Sequence, residues 1–145
     1  MVNNKTLLYE ILPDLNLIID SWFGDLTFEK VLNAKLEQIK DPRWNQSYHN
    51  ISDIRNAEFV LDNAEARKII EYTKSDTRWQ YERKTAYITD NPNQVVFQKL
   101  LEINKSQEIP NQMESFSTLK GALDYLLIES SEMDRIGDII RKLSI

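Results

Sequence analysis

From Thr27 onward, segments with a helical spacing of apolar residues alternate with short β-type segments, and this alternation limits the fold more than any other feature. The first helix is predicted from Phe28 to Lys40, with Thr27 as its N-cap. Between the helices lie a central strand that ends at Arg55 and two further β-type runs, at 85–89 and 112–116. Four more helices are predicted, beginning at Asn63, at Pro92, after Thr118 and at Ser131. Strands that follow helices in this way pair in parallel, which predicts an α/β fold.

The beginning of the chain predicts a different pairing. The β-type runs 6–12 and 16–22 are separated by Pro13-Asp14, a dipeptide that favours a turn. So short a connection joins antiparallel neighbours, because a parallel return needs a long crossover. We therefore expect one domain over residues 1–145, with a mixed, mostly parallel five-stranded sheet that opens with a β-hairpin. Four to five helices pack on this sheet, including an added C-terminal helix at about 131–143.

The composition argues against several classes of protein. The sequence has no cysteine, which excludes disulfides, zinc–cysteine sites and thiol catalysis. Its net charge of −5 and pI near 5.0 oppose nucleic-acid binding, which needs clustered excess Lys and Arg. The start of the chain lacks the apolar run of a signal peptide, and no segment reaches transmembrane length. We therefore expect a cytoplasmic protein that neither binds nucleic acid nor inserts into a membrane.

The end of the central strand and the loop after it form the predicted interaction surface. In an open α/β sheet, ligands and partners meet the carboxyl ends of the strands. Asp53 and Arg55 lie on one strand face, so they either meet a ligand or form a salt bridge that anchors the loop, which is the favoured interpretation. The loop and the start of the next helix extend this surface with four polar residues: Asn56, Glu58, Asp62 and Asn63. A protein partner is expected to bind here.

Three aromatic residues in loops add to the candidate contact surface. Trp44 follows a cation in the loop after the first helix, a combination that suits an interface, or it covers the core beside that helix. Trp79 and Tyr81 lie in a charged connection, where exposed aromatics would mark a contact surface. The densest basic group surrounds them, and interleaved acids predict a solvated, mixed surface for its members: Arg67, Lys68, Arg78, Arg83 and Lys84.

His49 is the single histidine and the first candidate for chemistry. Without cysteine or a second histidine it has no companion at metal-ligand spacing. A lone histidine near the start of a strand is expected to be packed or solvated, and it would act as a base only if a nucleophile converged on it. The sequence has no Gly-rich phosphate loop and no nucleophile-elbow motif. We therefore predict no enzyme, no metal and no cofactor.

Five short motifs follow one another between residues 6 and 128. They are Phe23-Gly24-Asp25-Leu26-Thr27, Asp41-Pro42-Arg43-Trp44, Ser52-Asp53-Ile54-Arg55, Thr85-Ala86-Tyr87-Ile88-Thr89, and Phe116-Ser117-Thr118 with Ala122. Their order and spacing resemble the SpoIIAA-like branch of the STAS superfamily, whose members share the order β-β-α-β-α-β-α-β-α. The resemblance implies a STAS-like fold for this chain.

The resemblance also implies a non-enzymatic regulatory or protein-interaction module. Anti-sigma-factor antagonists of this fold bind a partner kinase and are switched by phosphorylation of a Ser at the start of the helix after the central strand. Between Arg55 and Ala66 this chain has neither Ser nor Thr, so the phosphorylation switch is not carried over. A constant charge at Glu58 or Asp62 could mimic a phosphate, although acids at a helix N-terminus are favoured for structural reasons.

Two alternatives stay open at this point. The SpoIIAA-like group resembles lipid-binding CRAL-TRIO domains in fold, so the alternative function is a carrier or sensor of a small apolar or amphipathic ligand between helices and sheet. The last helix carries an apolar stripe that must be buried, formed by Met133, Ile136, Ile140 and Leu143. The stripe packs either on its own sheet or against a second copy, and the second arrangement predicts a homodimer.

Overall fold

A computed structural model describes residues 6–59, 62–105 and 110–144 of the protein. The strands are β1 (Leu7–Leu12), β2 (Leu17–Trp22), β3 (Gly24–Leu26), β4 (His49–Asp53), β5 (Ala57–Phe59), β6 (Arg83–Ile88) and β7 (Asn111–Phe116). The helices are α1 (Phe28–Gln38), α2 (Asn63–Ser75), α3 (Pro92–Asn104), α4 (Leu119–Leu126) and α5 (Met133–Leu143). Among these helices, none combines the length and the apolar composition that a membrane crossing needs.

One mixed sheet has the strand order β1-β2-β4-β6-β7. β1 and β2 are antiparallel, whereas β2, β4, β6 and β7 pair in parallel. The hairpin closes through a 3-10 turn at Pro13–Leu15, after which Asn16 has a φ of 52°, a left-handed conformation that Asn tolerates better than most residues. The predicted mostly parallel sheet with an opening hairpin is confirmed.

A second, two-stranded sheet was not predicted. β3 and β5 pair in parallel, where the sequence indicated only a break at 23–27 and a loop after Arg55. Strands of three residues are too short for the alternation of apolar and polar residues to be recognised. Gly24 has a φ of 77°, which glycine adopts without a steric penalty, and the chain changes direction there between β2 and β3.

Helices cover the main sheet on both faces. On one face, α4 and α5 pack on Leu17, Ile19 and Ile51 and form a continuous apolar core. On the other face, α1, α2 and α3 bring together a second cluster, which includes Trp22, Ile54, Ala66, Ile70, Phe97 and Leu101. This second layer differs from the first because the strands also send polar side chains into it.

The last helix packs on its own sheet. Ile136 and Ile140 are buried in the α4–α5 core, and Met133 and Leu143 pack against its edge. Arg135 forms an ion pair with Asp14 in the hairpin turn, with Nη1 and Oδ2 2.7 Å apart. The apolar stripe on which the homodimer prediction depended is therefore buried against the sheet of the same chain. A homodimer stays a prediction, but it would have to form through another surface.

Several element ends differ from the predicted ones. α1 ends at Gln38 rather than Lys40, and β6 begins at Arg83 rather than Thr85. β4 ends at Asp53 rather than Arg55, because the Asp53 carboxylate accepts the backbone N–H of Arg55 at 3.1 Å and turns the chain. Most of the loop predicted at 107–111 lies outside the described residues.

Candidate functional site

The sheet face beneath α1, α2 and α3 is polar in its centre. Strand side chains alternate between the two faces. In β4, Ile51 enters the α4–α5 core, so Asn50 and Ser52 face the other helices. In β6, Arg83 and Thr85 face the same side as those two residues. Parallel strands covered on both faces are usually apolar throughout, so this set of buried polar residues needs a reason.

A cavity of about 140 Å³ lies between this polar face and the three helices. Its floor contains Asp20, Asn50, Ser52, Arg83 and Thr85. Its walls are mainly aromatic and aliphatic, and include Trp22, Phe28, Val31, Ile70, Trp79 and Phe97. An apolar cavity of about 150 Å³ is large enough to take up benzene. The combination of apolar walls with a few fixed polar groups is typical of small-molecule sites.

One end of the floor is electrically compensated. Asp20 is fully buried and accepts hydrogen bonds from Lys35 Nζ at 2.8 Å, Gln38 Nε2 at 2.5 Å and Asn50 Nδ2 at 2.9 Å. Burial lowers the pKa of Lys35, and the neighbouring Asp20 opposes this change. Because Lys35 and Gln38 both belong to α1, these bonds attach that helix to the sheet.

The other end of the floor carries an uncompensated cation. Arg83 is 8% exposed, and no described residue forms an ion pair or hydrogen bond with its guanidinium. The guanidinium lies against Trp79, with Cζ 5.4 Å from the ring centroid. Burial lowers the pKa of Arg83, and Tyr87 and Asp20 oppose this, but arginine remains protonated in proteins. A buried charge without a partner costs free energy, so a structural role alone does not explain Arg83.

Other polar atoms of the cavity residues also lack partners within the described part of the chain. Trp79 Nε1 is a buried donor and Asn50 Oδ1 a buried acceptor, each without a hydrogen bond. Buried polar groups are normally hydrogen-bonded, so these atoms indicate where a bound molecule completes the site.

Some residues of the predicted interaction surface form contacts within the protein itself. Asp53 is buried and forms a two-pronged salt bridge with Arg55, in which Nε–Oδ1 and Nη2–Oδ2 both measure 2.9 Å. This is the anchoring salt bridge that the sequence favoured. Arg55, Asn56 and Glu58 are exposed, so partner binding through them stays a prediction.

Asp62 and Asn63 also make structural contacts. Asp62 Oδ1 accepts the backbone N–H of Glu65 at 3.0 Å, which is the predicted cap of α2. Asn63 Oδ1 accepts Asn104 Nδ2 at 2.8 Å and so links α2 to the end of α3. Both side chains are exposed, while residues 60 and 61 of the same surface lie outside the described residues.

Trp44 and Trp79 form one aromatic pair. Their rings meet edge to face with centroids 5.8 Å apart, and Trp44 is half-buried. Trp79 is buried and so does not mark a contact surface, because a 3-10 turn at Thr77–Trp79, capped by Asp76, places the ring in the cavity wall. Tyr81 is exposed, which is the condition for a contact surface there. Trp44 therefore supports the wall from behind, in line with the alternative in which it covers the core.

The candidates for chemistry do not converge. His49 and Asp53 occupy the two ends of β4, roughly 13 Å apart at the rise of a strand, and both face away from the cavity. His49 Nδ1 accepts the backbone N–H of Lys84 at 2.9 Å. Within the described ranges, no three His, Asp or Glu side chains are grouped closely enough to hold a metal ion.

Sequence reasoning missed the cavity floor for an identifiable reason. Arg83 was assigned to a solvated basic surface because the strand was predicted to begin only at Thr85. The informative signal is the polar residue at every second position, Asn50 and Ser52 in one strand and Arg83 and Thr85 in the next, in strands that a parallel sheet covers on both faces. Polar residues at every second position of such strands indicate a polar floor beneath the helices.

Comparison with known proteins identifies the fold. No protein-family model matches the sequence, and no curated protein matches it. Among solved structures, the 2.25 Å crystal structure of an uncharacterized protein from the DUF3478 family of Shewanella loihica PV-4, described as having a SpoIIAA-like fold, is similar. The TM-score is 0.52 at 18% identity, over 87% of this chain and 98% of that chain. The resemblance stated from the motifs is confirmed at the level of the fold, and this chain has a SpoIIAA-like α/β fold.

Proposed function

We propose that this protein is a non-enzymatic binding module that carries or senses a small amphipathic ligand in the cavity beneath α1, α2 and α3. The observation that supports this function is the cavity itself, with aromatic and aliphatic walls over a floor of buried polar groups. Apolar walls favour an apolar ligand body, while the Arg83 guanidinium on the floor and Trp79 Nε1–H in the wall, both without hydrogen-bond partners among the described residues, favour a polar end. This ranks the carrier or sensor above the protein-interaction module that the sequence placed first.

A binding role without catalysis agrees with the positions of the reactive residues. His49 and Asp53 face the α4–α5 layer, whereas the cavity lies on the opposite side of the sheet. A general base must come within hydrogen-bond reach of the bound molecule, and neither residue does so from that face. The proposed setting is the cytoplasm, where such a module would exchange its ligand with the surrounding solution.

The predicted protein-interaction surface can report on the cavity. α2 contributes Ile69, Ile70 and Thr73 to the lining, and the same helix begins at Asn63, beside exposed residues of the predicted partner surface. A ligand that displaces α2 would therefore also move this surface. If a protein partner binds only one of the two positions of this surface, the module acts as a sensor. We propose that ligand binding in this way controls partner binding.

The test compares two identical substitutions at different places. Val31 lines the cavity, and Val96 is an exposed residue of α3 outside the lining. Native mass spectrometry of the protein purified from cells is expected to show an added mass that is lost on denaturation. Val31→Phe should fill the cavity and reduce this bound fraction by about tenfold or more, while Val96→Phe should keep it. Urea unfolding of both variants checks that each is folded.

A purified protein without added mass is then titrated with 2-phenylethanol and followed by NMR. Shifts confined to amides around the cavity, absent in Val31→Phe, would support the proposal. Equal behaviour of the two variants, or no binding of any compound to the wild-type protein, would contradict it.

A further inference from the structure

The net charge of the cavity lining determines which ligand charge the cavity favours. Of the described residues that line the cavity, three are charged: Asp20, Lys35 and Arg83. Asp20 and Lys35 neutralise each other at 2.8 Å, so the remaining net charge is that of Arg83. A buried uncompensated charge is unfavourable, and a ligand with one negative charge would remove it.

The surroundings of Arg83 provide a place for such a group. The ring of Trp79 packs against the guanidinium, and Trp79 Nε1 is a buried donor without a partner in the described chain. A planar guanidinium fork and a nearby N–H donor are suited to a carboxylate, which accepts two parallel bonds from arginine and a third from another donor. Asn50 Oδ1 is an acceptor, so we assign it no part in holding an anion.

We propose that the ligand is a small carboxylic acid, bound as a monoanion by the Arg83 guanidinium and Trp79 Nε1–H, with its apolar body among the aromatic walls. This rests on the proposed function and adds the chemical class of the ligand. A doubly charged phosphate ester would leave one negative charge uncompensated on the same floor. A neutral alcohol or an amine would leave Arg83 without a counter-charge.

The size and lining of the cavity define the apolar body. About 140 Å³ suits a single ring or a short chain rather than a complete long-chain lipid. Aromatic side chains from different elements surround this space, including Trp22, Phe28, Phe59 and Phe97. Phe59 and Phe97 stack with ring centroids 3.7 Å apart, which gives the wall a flat apolar surface.

The test uses three probes of almost equal shape and different charge. The full chain, labelled with ¹⁵N, is titrated at pH 7 with phenylacetate, 2-phenylethanol and 2-phenylethylamine. Phenylacetate is expected to bind about tenfold or more tightly than the alcohol, as expected for hydrogen bonds to a charged group, with the amine weakest. Phenyl phosphate, the doubly charged probe, is expected to bind more weakly than phenylacetate.

Substitution of Arg83 separates recognition of the acid from the fit of the ring. Arg83→Met is expected to lower the phenylacetate affinity to or below that of 2-phenylethanol, because the carboxylate then has no counter-charge, while the alcohol affinity stays unchanged. Arg67→Met, on the exposed side of α2, is the control and should keep the acid preference. The urea midpoint of Arg83→Met is expected to equal or exceed that of the wild-type protein, because the substitution removes a buried charge.

The outcomes distinguish this inference from the function on which it depends. Equal affinity of acid and alcohol for the wild-type protein would overturn the carboxylate assignment and leave the binding module standing. Tighter binding of phenyl phosphate would also overturn it. A lower urea midpoint for Arg83→Met would identify Arg83 as a structural residue and overturn it as well. Binding of none of the probes would contradict the proposed function.

Discussion

At the start of β4, His49 accepts a hydrogen bond at Nδ1 from the backbone N–H of Lys84, 2.9 Å away. Burial lowers the pKa of His49, and the positive charges of Lys84 and Arg83 lower it further. A proton on Nδ1 would turn this acceptor into a donor that faces the Lys84 N–H. The fold therefore holds the imidazole in its neutral form.

This arrangement makes the stability of the fold depend on pH in a defined direction. The native pKa lies below that of the unfolded chain, so the unfolded state takes up the proton first as the pH falls. The contribution of His49 is complete above the ordinary pKa of about 6.5 and is lost as the pH drops through the lowered native value. Urea unfolding at pH 7.5 and 5.5 should therefore show a larger loss for the wild-type protein than for His49→Asn.

The asparagine variant is the matched control because its Oδ1 can accept the Lys84 N–H without titrating. NMR of the ring protons gives the native pKa directly, since the chain has one histidine. A native pKa at or above the ordinary value, or identical losses in the two proteins, would contradict this prediction.

At the scale of elements, regular segments were predicted correctly, whereas the residues that line the cavity were not identified. The side chains of Thr27, Asp62 and Thr118 cap α1, α2 and α4 as their sequence positions predicted, because capping is a local interaction. The burial of Trp79 and Arg83 depends on contacts formed only in the folded chain, because Trp79 packs on Trp44 and Arg83 lies against Trp79. Composition alone could not separate these two residues from their exposed neighbours, such as Tyr81.

The binding surface predicted from the sequence lies at a different place from the cavity. General rules place ligands at the carboxyl ends of parallel strands, which led to Asp53 and Arg55. The structure instead uses that pair as a salt bridge and has its cavity beneath the helices, with Arg83 at the amino end of β6. The alternation of polar residues in β4 and β6 was the sequence signal for this position.

The C-terminal helix gives a prediction at the scale of an element. Ile136 is fully buried against the sheet, so Ile136→Ala should lower the free energy of unfolding by about 2–5 kcal/mol. The exposed residue Asp138 on the same helix provides the control, because Asp138→Ala should change stability by about 0.5 kcal/mol or less. Urea unfolding at several protein concentrations measures both changes.

The concentration series distinguishes packing within one chain from packing between two. Burial on the chain's own sheet gives an unfolding midpoint that does not depend on protein concentration. A midpoint that rises with concentration in the wild-type protein, and no longer does so in Ile136→Ala, would contradict the packing of α5 on its own sheet.

For the whole molecule, the helices differ in how much buried apolar surface holds them to the same sheet. On the α4–α5 side, Leu123, Leu126, Ile136 and Ile140 are buried in a continuous apolar core. On the other side, Gln38 is the one fully buried residue of the described helix α1. Helix α2 buries Ala66 and Ile70. The cavity lies beneath this second layer. Ligand entry should therefore proceed by opening of α1 and α2, while the other layer stays folded.

Hydrogen exchange measured by mass spectrometry provides the test. Amides of α1 and α2 are expected to exchange about tenfold or more faster than those of α4 and the first half of α5, because local opening exposes few buried apolar groups. A bound ligand should slow exchange in α2 and leave α4 unchanged, since α4 lies on the opposite face of the sheet. Equal protection of both layers would mean that the cavity opens only when the whole protein unfolds. Ligand exchange would then be as slow as global unfolding, and a role as a reversible carrier or sensor would be contradicted.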